Sequence, residues 1–127
     1  MSIRKRNTSL RSASLLALTL TILASTTLDE AVVADAAQRS DVEAVRTLLQ
    51  QGADPNAAQA DGLTALHWAA LNDQLDIAQI LLYAGVTVKP VTRVGGYTPL
   101  HLASRAGHSG IVRALLEAGA KPDAFTT

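Results

Sequence analysis

Cysteine is absent from the 127 residues, which excludes disulfides, thiolate metal ligands, cysteine nucleophiles and a lipid anchor on an N-terminal cysteine. Aromatic residues are scarce, with one Trp, two Tyr and one Phe. The 48% hydrophobic content is therefore nearly all Ala, Leu and Val, a palette that suits closely packed helices. An excess of positive charge is missing too: 11 basic residues balance 11 acidic ones. All the acids lie at or after Asp29, whereas Arg4, Lys5, Arg6 and Arg11 precede it, so 7 basic residues face 11 acidic ones downstream, a net of −4. Such a body lacks the clustered positive face that neutralises phosphates, and nucleic acid is not an expected partner.

A long apolar run is also lacking. Leu15 to Ala24 is the most apolar stretch, and as a helix it would rise only about 15 Å, roughly half the hydrocarbon thickness of a bilayer. Four positive charges before it and Ser25, Thr26 and Thr27 after it complete the order of a secretory signal. Residues 1–26 are thus expected to be a cleavable export signal, with cleavage after Ala24 or Thr26. An uncleaved anchor and a mitochondrial transit peptide are the alternatives. Export places the mature chain in a periplasm or outside the cell, with no stable membrane span once the signal is removed.

Downstream, the chain repeats itself. LLQQGA at 48–53, LLYAGV at 81–86 and LLEAGA at 115–120 set Gly52, Gly85 and Gly119 apart by steps of 33 and 34. The longer step also relates Thr64-Ala65-Leu66-His67 to Thr98-Pro99-Leu100-His101. Each unit reads as two short helices and a turn. Thr64 and Thr98 are N-caps whose hydroxyls satisfy an orphan backbone N–H. Pro99 suits the first helical position, where its fixed φ and missing N–H cost nothing. The second helices carry a one-sided apolar stripe: Val42, Val45, Leu48 and Leu49; Leu75, Ala78, Leu81 and Leu82; Val112, Leu115 and Leu116. Gly52, Gly85 and Gly119 close them in the left-handed conformation. A helix pair this short cannot bury its stripe alone, so neighbouring units must cover one another.

On Asp61-Gly62-Leu63-Thr64-Ala65-Leu66-His67, Gly95-Gly96-Tyr97-Thr98-Pro99-Leu100-His101 and Gly107-His108, the chain resembles an ankyrin-repeat protein. The resemblance implies an all-α solenoid of helix-turn-helix units with short hairpin loops, about three repeats over residues 27–124, with units near 29–56, 57–89 and 90–123. The joint presence of signal and repeats is similar to exported bacterial ankyrin-repeat proteins. The first unit departs from the pattern, with Ala31-Val32-Val33-Ala34 in the Thr-Pro-Leu-His place. Phe125-Thr126-Thr127 falls where a fourth loop would begin, so residues 125–127 read as a truncated tail.

The tempting chemistry is in the histidines. Imidazole is a general base and a metal ligand, yet the resemblance implies that His67 and His101 are structural, bonding backbone and Thr. Equivalent helices of a stack lie about 8–10 Å apart, whereas one zinc needs both nitrogens within about 2.1 Å. No metal, cofactor or catalytic residue is expected. Gly107-His108-Ser109-Gly110-Ile111 resembles a nucleophile elbow until Ile replaces the final Gly.

The resemblance implies instead that a partner contacts the hairpin tips and the exposed side of the first helices. Matching positions are Ala60, Asp61, Leu63, Leu71 and Asn72 in the second unit, and Val94, Gly95, Tyr97, Arg105 and Ala106 in the third. Leu63, Leu71 and Tyr97 are apolar where solvated scaffolding favours polar side chains. Trp68 suits packing and partner anchoring equally. The expected function is an exported, monomeric, non-catalytic module that binds a protein partner. The alternatives are a metal-dependent or stress-related accessory enzyme, or a fragment without independent function.

Overall fold

The computed structural model describes residues 30–122, and the expected signal (1–26) and tail (125–127) lie outside them. Among the described residues six helices follow one another in three pairs: α1 (Val32–Gln38) with α2 (Val42–Gln50), α3 (Ala65–Leu71) with α4 (Leu75–Tyr83), and α5 (Pro99–Ala106) with α6 (Ser109–Glu117). No strand occurs among the described residues. The pairs stack in register, α1 on α3 on α5 and α2 on α4 on α6, giving the all-α repeat solenoid that the 33–34-residue period demands.

Local chemistry sets the ends of these helices. Thr64 and Thr98 cap α3 and α5 through their hydroxyls, and Pro99 opens α5 at its first turn. Asp41 caps α2 by accepting from the Ala44 N–H at 3.0 Å. Ala31, in the degenerate first unit, offers no side-chain cap to α1. At the other end, Gly52, Gly85 and Gly119 take φ of 86°, 85° and 95°. Each closes a Schellman motif: Gly52 N–H to Leu49 O with Ala53 N–H to Leu48 O, and likewise at the two later glycines. The turn inside each pair also repeats, with Ser40, Asp73 and Gly107 at φ 56°, 53° and 76°. Only Gly107 marks itself in the sequence as a left-handed residue, since Asp and Ser adopt that conformation as exceptions.

Burial follows the register of the repeat. The first helices meet through Val33, Ala34, Ala36 and Ala37, then Leu66, Ala69 and Ala70, then Leu100 and Ala103, all buried. Alanines let these backbones approach closely. The second helices contribute Val45, Ile77, Ala78, Leu81, Ile111 and Leu115 to the same core.

Here the expected stripe needs correction. Leu75 and Leu116 are exposed, while Ile77 and Ile111, absent from that stripe, are fully buried. The physical reason is direction along the stack. Ala44, Ile77 and Ile111 are equivalent, and their burial rises from partial in the first unit to complete in the second and third, so this position packs back onto the preceding pair. Val45, Ala78 and Val112 show the opposite trend and face the following pair.

Candidate functional site

The face formed by the hairpin tips and first helices is assembled by a chain of hydrogen bonds between units. In the second unit, Gln59 N–H donates to Leu63 O at 2.9 Å and Gly62 N–H to Gln59 O at 2.8 Å, closing the Gln59–Leu63 turn. In the third, Thr92 N–H donates to Tyr97 O at 3.0 Å, and the Thr92 hydroxyl accepts from Tyr97 N–H and donates to Val94 O. Arg93 N–H then donates to Asp61 O at 2.8 Å, joining the two tips. Gly62 is required at that seam. A Cβ there would stand 3.0 Å from Arg93 N and Val91 O.

His67 locks the seam to α3. Its Nδ1 accepts from Thr64 N–H at 3.1 Å and its Nε2 donates to Tyr97 O at 2.9 Å, so the ring is the neutral Nε2–H tautomer. Burial holds its pKa below the ordinary value; carbonyls at Tyr97 and Pro90 and the charge of Asp61 offset this only in part. His101 repeats the Thr98 contact at 3.1 Å. Both act in capping boxes, as the resemblance implied. Among the described residues no group of three or more His, Cys, Asp or Glu could hold a metal ion. Ser109 opens α6 as an exposed first-turn residue.

The other singled-out residues divide into two sets. Asp61, Leu63, Leu71, Val94 and Tyr97 come together, with Thr92 and Leu102, around one cleft of about 230 Å³. Leu71 is 37% exposed and Val94 86%. The Arg105 guanidinium carbon sits 5.0 Å from the Tyr97 ring centroid, a cation–π contact at the cleft's edge. Ala60 and Ala106 are exposed nearby on a hairpin tip and at the end of α5.

The second set serves the scaffold. Asn72 donates through Nδ2 to Gln38 O at 3.2 Å, tying α3 to α1. Gly95, at φ 88°, lies beneath the Tyr97 ring, where a Cβ would clash, so its place in the face is to seat that ring. Trp68 is partly buried, and its indole N–H donates to Gln59 Oε1 at 2.8 Å.

Two functional contributions escape a reading of the sequence. Gln59 is a hub: besides accepting from Trp68, its Nε2 donates to Asp35 Oδ1 at 2.7 Å and Gln38 Oε1 at 3.0 Å. A lone Gln in a turn carries no periodic signal. His108 donates through Nδ1 to Ala70 O at 2.8 Å, joining the third unit to the end of α3. The Gly107-His108 pair marks a turn in the sequence, but its cross-unit partner does not show there.

Stacked helix pairs, left-handed closing glycines and Thr–His caps define a solenoid of ankyrin repeats. The chain belongs to the ankyrin-repeat family: the family model described as ankyrin repeats (3 copies) matches residues 33–126. Relatives include Palmitoyltransferase Hip14 of Drosophila melanogaster, 41% identical over 90 residues, and human Palmitoyltransferase ZDHHC17 and ZDHHC13, each 33% identical over 90 residues. The match takes in 71% of this chain but spans only 14% of the length of those relatives. The activity in their names belongs to the whole proteins. The likeness to exported bacterial repeat proteins draws no support from these animal relatives.

Proposed function

We propose that the chain is a non-catalytic module that binds a protein partner on the cleft framed by α3, α5 and the two hairpin tips. One observation carries the reading: Asp61, Leu63 and Leu71 of the second unit and Val94 and Tyr97 of the third line a single cleft that is mainly apolar yet open to solvent. Its volume is below the roughly 300–1,000 Å³ of small-molecule sites, so it fits one or two side chains of a larger partner. A photocrosslinker at Leu71 should capture a partner in the native host, whereas one at Gln79, on α4 behind the stack, should not. The double substitution Tyr97→Ala, Arg105→Ala should abolish that capture while leaving the helical circular dichroism unchanged. Equal yields from the two positions would overturn the proposal.

The module acts, on this reading, as a monomer in an exported compartment, periplasmic or secreted. Four positive charges ahead of a ten-residue apolar run support export by residues 1–26. Fusing those residues to a reporter should move it out of the cytoplasm in the native host; a reporter that stays behind refutes this part.

A further inference from the structure

Charge is graded along the stack. Residues 29–56 carry 2 basic and 6 acidic side chains, residues 57–89 carry 1 and 3, and residues 90–123 carry 4 and 2. The net charge therefore runs from −4 through −2 to +2, and the cleft lies where the sign changes. Arg93 stands exposed on the third hairpin tip, and Arg105 stands exposed on α5 against the Tyr97 ring that lines the cleft. Neither has a carboxylate within ion-pair reach among the described residues; the ion pair there is Arg46 with Glu43 on α2. Arg105 is held against Tyr97 by a contact that consumes none of its N–H donors.

On the reading of the cleft as a partner site, we infer that its occupant is a polypeptide segment presenting an apolar side chain next to a carboxylate. The apolar side chain fills the space between Leu63, Leu71, Val94 and Tyr97. The carboxylate pairs with Arg105, at the positive end of the gradient. An Arg fork binds a carboxylate through two N–H donors, so the segment has a fixed direction: its acid points toward the third unit and away from Asp61. The cleft takes the apolar group without regard to order, and the arginine sets which way the chain lies.

Selection of a phage-displayed random peptide library on the intact purified chain tests this. Enriched peptides should carry Asp or Glu within a few residues of Leu, Ile, Val or Phe. Their binding, read by fluorescence anisotropy, should weaken about tenfold or more with Arg105→Gln and fall further with added salt. The swapped pair, Arg105→Glu with a Lys-bearing peptide, should restore it. Peptides that need the cleft, as judged by loss with Leu71→Glu, but lack an acid and ignore Arg105→Gln would overturn this inference and leave the partner site standing. Peptides indifferent to Leu71→Glu would overturn both. Self-association in sedimentation that Leu71→Glu abolishes would make a second copy the occupant and overturn the assignment of a peptide.

Discussion

The two helix layers of the stack are built from the same period but solve different problems. In the layer of α1, α3 and α5, interfaces are rich in alanine, with Ala36, Ala37, Ala69, Ala70 and Ala103 fully buried beside Val33, Leu66 and Leu100. Their small volume brings the backbones together on the buried side of the layer. In the layer of α2, α4 and α6, branched side chains such as Ile77, Leu81, Ile111 and Leu115 bridge a wider gap, and an open groove of about 600 Å³ remains between α2 and α4. Close packing in the first layer aligns the hairpin tips into one continuous face. The second layer buries larger side chains behind that face.

That contrast breaks by opposite substitutions. In the second layer, removing volume does the damage: Leu81→Ala should cost about 2–5 kcal/mol, because the side chain is fully buried. For a domain whose total stability is on the order of 5–15 kcal/mol, this is a large fraction, and a urea titration reads it directly. In the first layer, adding volume does it: Ala69→Leu should cost about 1–3 kcal/mol by forcing α3 away from its neighbours. Leu81→Ala costing under about 0.5 kcal/mol, or Ala69→Leu proving neutral, would show that the layers do not differ as described.

Which of these features the sequence makes legible follows from periodicity. The closing glycines, the Thr–His caps and the alanine-rich first helices recur at a fixed step, and these features, like the single Pro99 at a helix start, each have a local physical reason that needs no knowledge of neighbours. Register within the second helix is harder, because apolar residues occur on two adjacent stripes. Comparing units separates them: Ile77 aligns with Ala44 and Ile111, all apolar, whereas Leu75 aligns with Val42 and with Ser109, which is polar. Of the candidate face, Asp61, Leu63, Leu71, Val94 and Tyr97 can be brought to neighbouring hairpin tips and first helices from their position in the repeat, and they line one cleft. The contacts of Gln59 with Asp35 and Gln38 and of His108 with Ala70 arise only when units stack, and nothing at the level of one unit encodes them; those of Arg105 with Tyr97 and of Gln59 with Trp68 fall within a unit but carry no periodic signal.

Two histidines sharpen the comparison with the smallest expected effect. His108, ahead of the second-layer helix α6, faces a carbonyl through Nδ1, so it must offer a proton there. His67, in the first layer, must instead offer a lone pair at Nδ1 to the Thr64 N–H. Protonating His67 would turn that acceptor into a donor facing a donor, inside a buried site, and burial accordingly lowers its pKa from 6.5. The unfolded chain then binds more protons than the folded one in the window below about 6.5, so stability rises with pH there. The contribution is complete above about pH 6.5 and is lost as pH falls through the lowered value. Urea midpoints of the wild type and His67→Gln, measured from pH 7.5 to 5.5, should therefore converge as the solution is acidified. A gap between them that stays constant would mean that His67 does not need its neutral form to join α3 to the hairpin seam.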